Sequence, residues 1–139
     1  MISAADLPLI QVAGVIDEPE ARLLVESGVC WLGFPLRLTV NKEDLSEAEA
    51  AAIIRGLPAG VKGVLITYLD HAEEILAFCR DLGVCTVQLH GDIAVGELQR
   101  LKALDPGLTV FKSLVVREGN EAGLRRLVEA SSPYVDAYI

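Results

Sequence analysis

The chain has 139 residues, 52% of them hydrophobic, 23% charged and 5% aromatic, which fits one domain able to bury an ordinary core and argues against two. Twelve Lys and Arg against twenty Asp and Glu leave a net charge of -8. That balance argues against a broad basic surface for nucleic acid or for an anionic membrane, so an anionic ligand must be held by a local cluster.

Mean hydropathy is high at +0.41, yet no apolar run approaches the roughly 18 residues that cross a bilayer. Residues 1–9 contain Asp6 and Pro8 and no basic segment, unlike a secretory signal, so a cytoplasmic location is expected. Cys30, Cys79 and Cys85 are odd in number and lack the paired spacing of a zinc or redox site. They read as reduced, buried thiols, and neither a metal nor a cofactor is expected.

Apolar runs and helix-period segments alternate from one end to the other. Strands are predicted over residues 9–13, 30–34, 63–67, 86–89, 109–113 and 135–139, and helices over residues 18–27, 46–56, 72–82, 95–104 and 121–130. The strands are nearly continuous apolar runs, as expected when a parallel sheet is covered on its outer face. Asp17 and Ser46 stand where helix caps belong, with Glu20 and Glu49 three residues on as capping-box partners, and Asp70 and Asp92 can cap the next two helices. Gly28, Gly56 and Gly83 close helices, where a positive φ is commonly needed.

A βα repeat over the whole length leaves an open doubly wound sheet or a closed barrel. Gly14 stands alone after the first strand, with no Gly-x-Gly-x-x-Gly fingerprint and no Walker-type loop, and the repeat of roughly 20 to 30 residues suits a barrel better than a dinucleotide fold. The expected architecture is an α/β, TIM-type (β/α) barrel domain over residues 1–139, with six strands and five helices present. In both folds the chemistry sits just past the strand ends. Those positions hold Gln11 and Ala13, Arg37, Tyr68 and Asp70, Gln88, His90 and Asp92, and Lys112, Ser113 and Arg117.

The segment Val87-Gln88-Leu89-His90-Gly91-Asp92 resembles the fourth-strand motif of phosphoribosylanthranilate isomerases, barrel enzymes of tryptophan biosynthesis. Residues 28–34 are similar to that family's second strand, Gly63-Val64-Leu65 to its third, Val110-Phe111-Lys112 to its fifth and Val135-Asp136-Ala137-Tyr138 to the opening of its sixth, all in the family's order. The resemblance implies an Amadori rearrangement of an N-linked aminoaldose phosphate to an aminoketose. An acid opens the sugar by protonating its ring oxygen and a base takes the C2 proton, so two titratable groups must flank the substrate.

His90, which follows a strand, shares a face with Gln88 and is one of two histidines, and Asp92 beside it are the candidate catalytic residues. Gln11, at the family's first-strand lysine, Arg37, near its carboxylate-binding arginine, and Lys112 are the candidate substrate-binding residues. A guanidinium suits the anthranilate carboxylate because it can make two parallel hydrogen bonds to it. The pattern departs at two places: Ala13 stands where the family has its base cysteine, and the family's acid aspartate would fall about two residues past Ile139. Three explanations are expected to compete: a longer protein, an open sheet edge paired with another copy in a homo-oligomer, or a degenerate homologue. The expected partner is a small phosphorylated sugar, with no nucleic acid and no membrane. Catalysis as an isomerase and non-catalytic binding of a sugar phosphate by a regulatory homologue are the two functions to be weighed.

Overall fold

The computed structural model describes residues 10–139, so the first residue of the predicted first strand and the segment compared with a secretory signal lie outside the described residues. The elements alternate as β1 (Gln11–Ala13), α1 (Glu18–Glu26), β2 (Trp31–Pro35), α2 (Glu47–Arg55), β3 (Lys62–Thr67), α3 (Ala72–Leu82), β4 (Thr86–Leu89), α4 (Val95–Leu104), β5 (Thr109–Lys112), α5 (Glu121–Ser131) and β6 (Ala137–Tyr138). A single 3-10 turn, Ser132–Tyr134, takes up part of the approach to β6, which is shorter than predicted.

All pairings are parallel and the strand order is β1-β2-β3-β4-β5-β6. Among the described residues the order never reverses and shows no switch point, so the doubly wound alternative falls away. The sheet curls instead. Strands sit about 4.8 Å apart, so side chains three strands away in a flat sheet would be separated by about 14 Å. Here Gln11 Nε2 on β1 donates to Gln88 Oε1 on β4 at 2.8 Å, and the Trp31 ring on β2 lies 5.7 Å from the Phe111 ring on β5.

The register puts Gln11, Trp31, Gly33, Val64, Ile66, Gln88 and Phe111 on the concave face. Leu32, Phe34, Leu65, Val87, Leu89 and Val110 point the other way and form the main core with Ile75, Phe78, Leu82, Leu98 and Leu101 of the helices. Each fully buried aliphatic or aromatic side chain there is worth roughly 1.5–3 kcal/mol. Two apolar faces explain why the strands read as unbroken apolar runs.

The helix ends are set partly by local sequence and partly by neighbours. Ser46 and Glu49 form a complete capping box. Asp17 accepts from the Glu20 backbone N–H, but the Glu20 carboxylate turns to the Ile16 N–H. Asp70 does not cap α3 and Asp92 does not cap α4: the cap positions are His71 and Ala94, neither with a side-chain cap bond, and the Glu97 carboxylate of α4 accepts the Ala72 N–H at 2.7 Å. Gly28 and Gly83 adopt φ +87° and +79°, whereas Gly56 closes α2 at φ −85° and needs no glycine there.

Cys79 is buried as expected, but Cys30 and Cys85 are exposed ahead of β2 and β4. Burial pushes the Cys79 thiol up to about 12. Native-state alkylation is expected to label Cys30 and Cys85 within minutes and Cys79 only on unfolding, as read by peptide mass.

Asp136, in the resemblance to the sixth strand, is a structural anchor. Its carboxylate accepts from the Val110 N–H and from Lys102 Nζ, both at 2.7 Å. Burial opposes ionisation, and these hydrogen bonds outweigh it and hold the carboxyl below its usual range. Asp136→Ala is expected to cost about 1–2 kcal/mol in urea unfolding at neutral pH. The deficit should shrink as acid protonates the native carboxyl, because a depressed carboxyl stabilises only while ionised.

Candidate active site

At the C-terminal ends of β4 and β5 lies a cleft of about 750 Å³. Its chemistry comes from His90 and Asp92 after β4, from Lys112 and Ser113 at the end of β5, and from Tyr68 and Arg117, while Leu124 and Leu127 of α5 supply an apolar wall. In a chain of net charge -8 this cleft holds two basic side chains to one acidic. Its field therefore favours an anionic ligand.

His90 Nδ1 lies 3.0 Å from Ser113 Oγ, and its ring meets that of Tyr68 edge-on with centroids 5.2 Å apart. Gly91 permits that packing, since a Cβ there would come within 3.0 Å of Tyr68 Cδ1 and 3.4 Å of its backbone. Gln88 Nε2 donates to the same Ser113 Oγ at 3.0 Å, and Gln88 Oε1 accepts from Gln11. One continuous hydrogen-bonded chain thus runs from β1 to His90.

Lys112 is only 4% exposed, and its Nζ donates to the Ser113 carbonyl at 2.7 Å. An ammonium has three donors, and among the described residues no carboxylate lies within 4.0 Å of it. Burial lowers its pKa, and the nearby Asp92 carboxylate only partly offsets this. Asp92 is exposed at the cleft wall.

The candidate residues of the sequence thus divide. His90, Asp92 and Lys112 converge on the cleft, and Gln11 reaches it through Gln88 and Ser113. Arg37 is placed elsewhere, at φ +51° in the loop after β2, with Nε donating to Glu47 at 2.8 Å, a second ion pair to Glu74 and its guanidinium 3.8 Å over the Phe78 ring. Tyr68, Ser113 and Arg117 also line the cleft; the sequence placed them at strand ends without singling them out as site residues. Ala13 is exposed at the end of β1.

A second hollow of about 740 Å³ lies between α1 and α2, walled by Val25, Ile53 and Leu57. It contains no strand-end side chain, whereas the first cleft gathers those of β4 and β5. Among the described residues no cluster of three or more His, Cys, Asp or Glu could hold a metal ion, and no helix is long and apolar enough to cross a membrane.

No family model matches the chain. It is 30% identical over 135 residues to N-(5'-phosphoribosyl)anthranilate isomerase 2 of Methanosarcina mazei, covering 94% of this chain and 57% of that protein. To the N-(5'-phosphoribosyl)anthranilate isomerase of Rubrobacter xylanophilus it is 29% identical over 136 residues, covering 93% and 62%. The chain therefore spans less than two thirds of the length of these relatives. Among solved structures, phosphoribosyl anthranilate isomerase from Thermotoga maritima matches with a TM-score of 0.75 at 25% identity, over 88% of this chain and 57% of that one. The enzyme from Thermococcus kodakaraensis matches at 0.74 and 24% identity, over 95% and 63%.

With six parallel strands in sequential order, a curled sheet and a cleft at the strand ends, the molecule is of the TIM-type barrel class. Within that class the chain is similar, as a divergent relative, to the phosphoribosylanthranilate isomerases.

Replacing the buried ammonium tests the electrostatics of the cleft. Lys112→Met is expected to raise stability by about 1–2 kcal/mol at neutral pH. The native pKa lies below the ordinary 10.5, so the unfolded state binds more protons between the two values and the wild type gains stability as pH rises through that window. The advantage of the variant should therefore be full below the native pKa and vanish as pH approaches 10.5, as read from urea midpoints across pH.

Proposed function

We propose that the strand-end cleft binds a phosphorylated aminosugar and that the chain acts in the manner of a phosphoribosylanthranilate isomerase. The reaction is the Amadori rearrangement of an N-(5-phosphoribosyl)anthranilate-type aminoaldose to the aminoketose. The observation that carries this reading is the convergence of His90, Asp92 and a buried, sparsely bonded Lys112 on one cleft in a relative of those isomerases. A related phosphoribosyl anthranilate isomerase has been solved with reduced 1-(o-carboxyphenylamino)-1-deoxyribulose 5-phosphate, a ligand with two anionic groups.

In this reading Lys112 and Arg117 hold an anionic group of the substrate. The sugar ring opens when a proton reaches its oxygen and the C1–O bond breaks, with the anilino nitrogen taking up the positive charge as an iminium. Loss of the C2 proton then gives an enolamine that becomes the ketone. His90 and Asp92 are the two groups that handle these protons, one on the donating and one on the accepting side. A carboxylate contact from Arg37 requires that side chain to exchange Glu47 for the ligand.

The test is to add the purified chain to the fluorescent aminoaldose phosphate formed from anthranilate and ribose 5-phosphate. Fluorescence is expected to fall in proportion to protein, and His90→Ala and Asp92→Asn to slow it by about 100-fold or more. Constant fluorescence at saturating protein would overturn the catalytic reading.

A second reading is favoured by one residue. Ala13 presents a methyl group where the resemblance puts the base cysteine, and a methyl group accepts no proton. A non-catalytic relative that binds the sugar phosphate through the same cleft predicts saturable binding in calorimetry with no turnover, and Lys112→Met should weaken that binding about tenfold or more.

A further inference from the structure

The chain from Gln11 to His90 has a direction. Gln11 Nε2 donates to Gln88 Oε1 at 2.8 Å, and Gln88 Nε2 donates to Ser113 Oγ at 3.0 Å. Ser113 Oγ then faces His90 Nδ1 at 3.0 Å. A serine hydroxyl has one hydrogen. Its oxygen has two lone pairs, and Gln88 fills one; were His90 to fill the other, the hydroxyl hydrogen would have no acceptor among the described residues, so that hydrogen goes to His90, whose Nδ1 is the bare, accepting nitrogen.

Reversing every bond also keeps the chain intact, and it is worse. As oriented, the terminal group left over is Gln11 Oε1, a buried carbonyl oxygen with no partner among the described residues. Reversal would put the Gln11 amide nitrogen there, with two hydrogens unmet. Buried orphan N–H groups are rarer than under-satisfied carbonyls. Gln88 and Ser113 are 7% and 5% exposed, so water competes little for these bonds.

We infer that Ser113 and Gln88 are positioning residues that fix neutral His90 as its Nε2–H tautomer, so that the nitrogen left for the cleft is a hydrogen-bond donor. The tautomer stands on the geometry alone. Its role rests on the isomerase reading: there the Nε2 hydrogen of His90 goes to the sugar ring oxygen as the C1–O bond breaks, the Asp92 carboxylate takes the C2 proton, and transfer of that proton back to Nε2 completes the cycle.

The chain contains two histidines, His71 and His90, and His71 is exposed with no link to this network. Long-range 15N–1H correlation spectra at alkaline pH, where imidazoles are neutral, therefore report His90 with an internal reference. The expected wild-type spectrum shows His90 with an unprotonated Nδ1 and a protonated Nε2. Ser113→Ala should move His90 toward the tautomer mixture of His71, and Ser113→Thr should restore the wild-type pattern.

Gln88→Glu places only acceptors against Ser113, turns its hydroxyl around and should shift the proton to Nδ1. A protonated Nδ1 in the wild type, or a Gln88→Glu pattern unchanged from wild type, overturns the assignment, and the Gln88 arm decides should Ser113→Ala fail to fold. If the tautomer is as assigned while the fluorescence assay shows no turnover, the isomerase reading fails and the positioning chain stands.

Discussion

The structure depends on how tightly a six-stranded parallel sheet closes on itself. Two contacts measure that closure, the amide-to-amide hydrogen bond between Gln11 and Gln88 and the ring pair of Trp31 and Phe111, each spanning three strands. Gly33 makes room for the first of them. A Cβ there would meet Ile66 Cδ1 at 2.7 Å, Ala13 Cα at 3.1 Å and Gln11 Nε2 at 3.3 Å. A flatter sheet would leave two glutamine amides without each other and expose the apolar concave face.

Closure sorts the strand residues into two layers with different work. The outward layer is apolar and bonds the helices to the sheet, and its contribution is measured in buried area. The inward layer mixes large apolar rings with a line of amides and hydroxyls that must satisfy one another, and its contribution is orientation. Lys112 and Ser113 show the change from one layer to the other in consecutive residues: Ser113 joins the inward chain, while Lys112 turns outward, donates a hydrogen bond to the Ser113 carbonyl and keeps donors for the cleft. Anion attraction and histidine orientation thus come from the last residue of β5 and the one that follows it.

Much of this was legible in the sequence because the local signals agreed with the global fold. The helices Ala72–Leu82 and Val95–Leu104 and the strand Thr86–Leu89 have the bounds their patterns predict, and Ser46 caps as its spacing with Glu49 requires. The barrel-type architecture was read from the βα repeat and its short period, and the family resemblance from the Val87 to Asp92 segment; the sequential strand order and the relatives agree with both. What escaped depended on contacts distant in sequence. Asp70 and Asp92 looked like caps because each precedes a helix, yet α3 takes its cap from Glu97, 25 residues away. Arg37 stands in the right place along the chain, and a left-handed turn directs its guanidinium onto Phe78 and Glu47, away from the cleft. The part played by Ser113 required the register of β4 against β5 and the curl that brings β1 to both.

The most direct test of closure is the nuclear Overhauser contact between the Trp31 indole and the Phe111 ring in the intact chain. Trp31 is the one tryptophan in the sequence, so its indole resonances are unambiguous. With centroids 5.7 Å apart, ring protons of the two side chains should give clear cross-peaks. Strands three apart in an open sheet would hold the rings about 14 Å from each other, and the absence of those cross-peaks in well-resolved spectra would contradict the curled sheet on which the site depends.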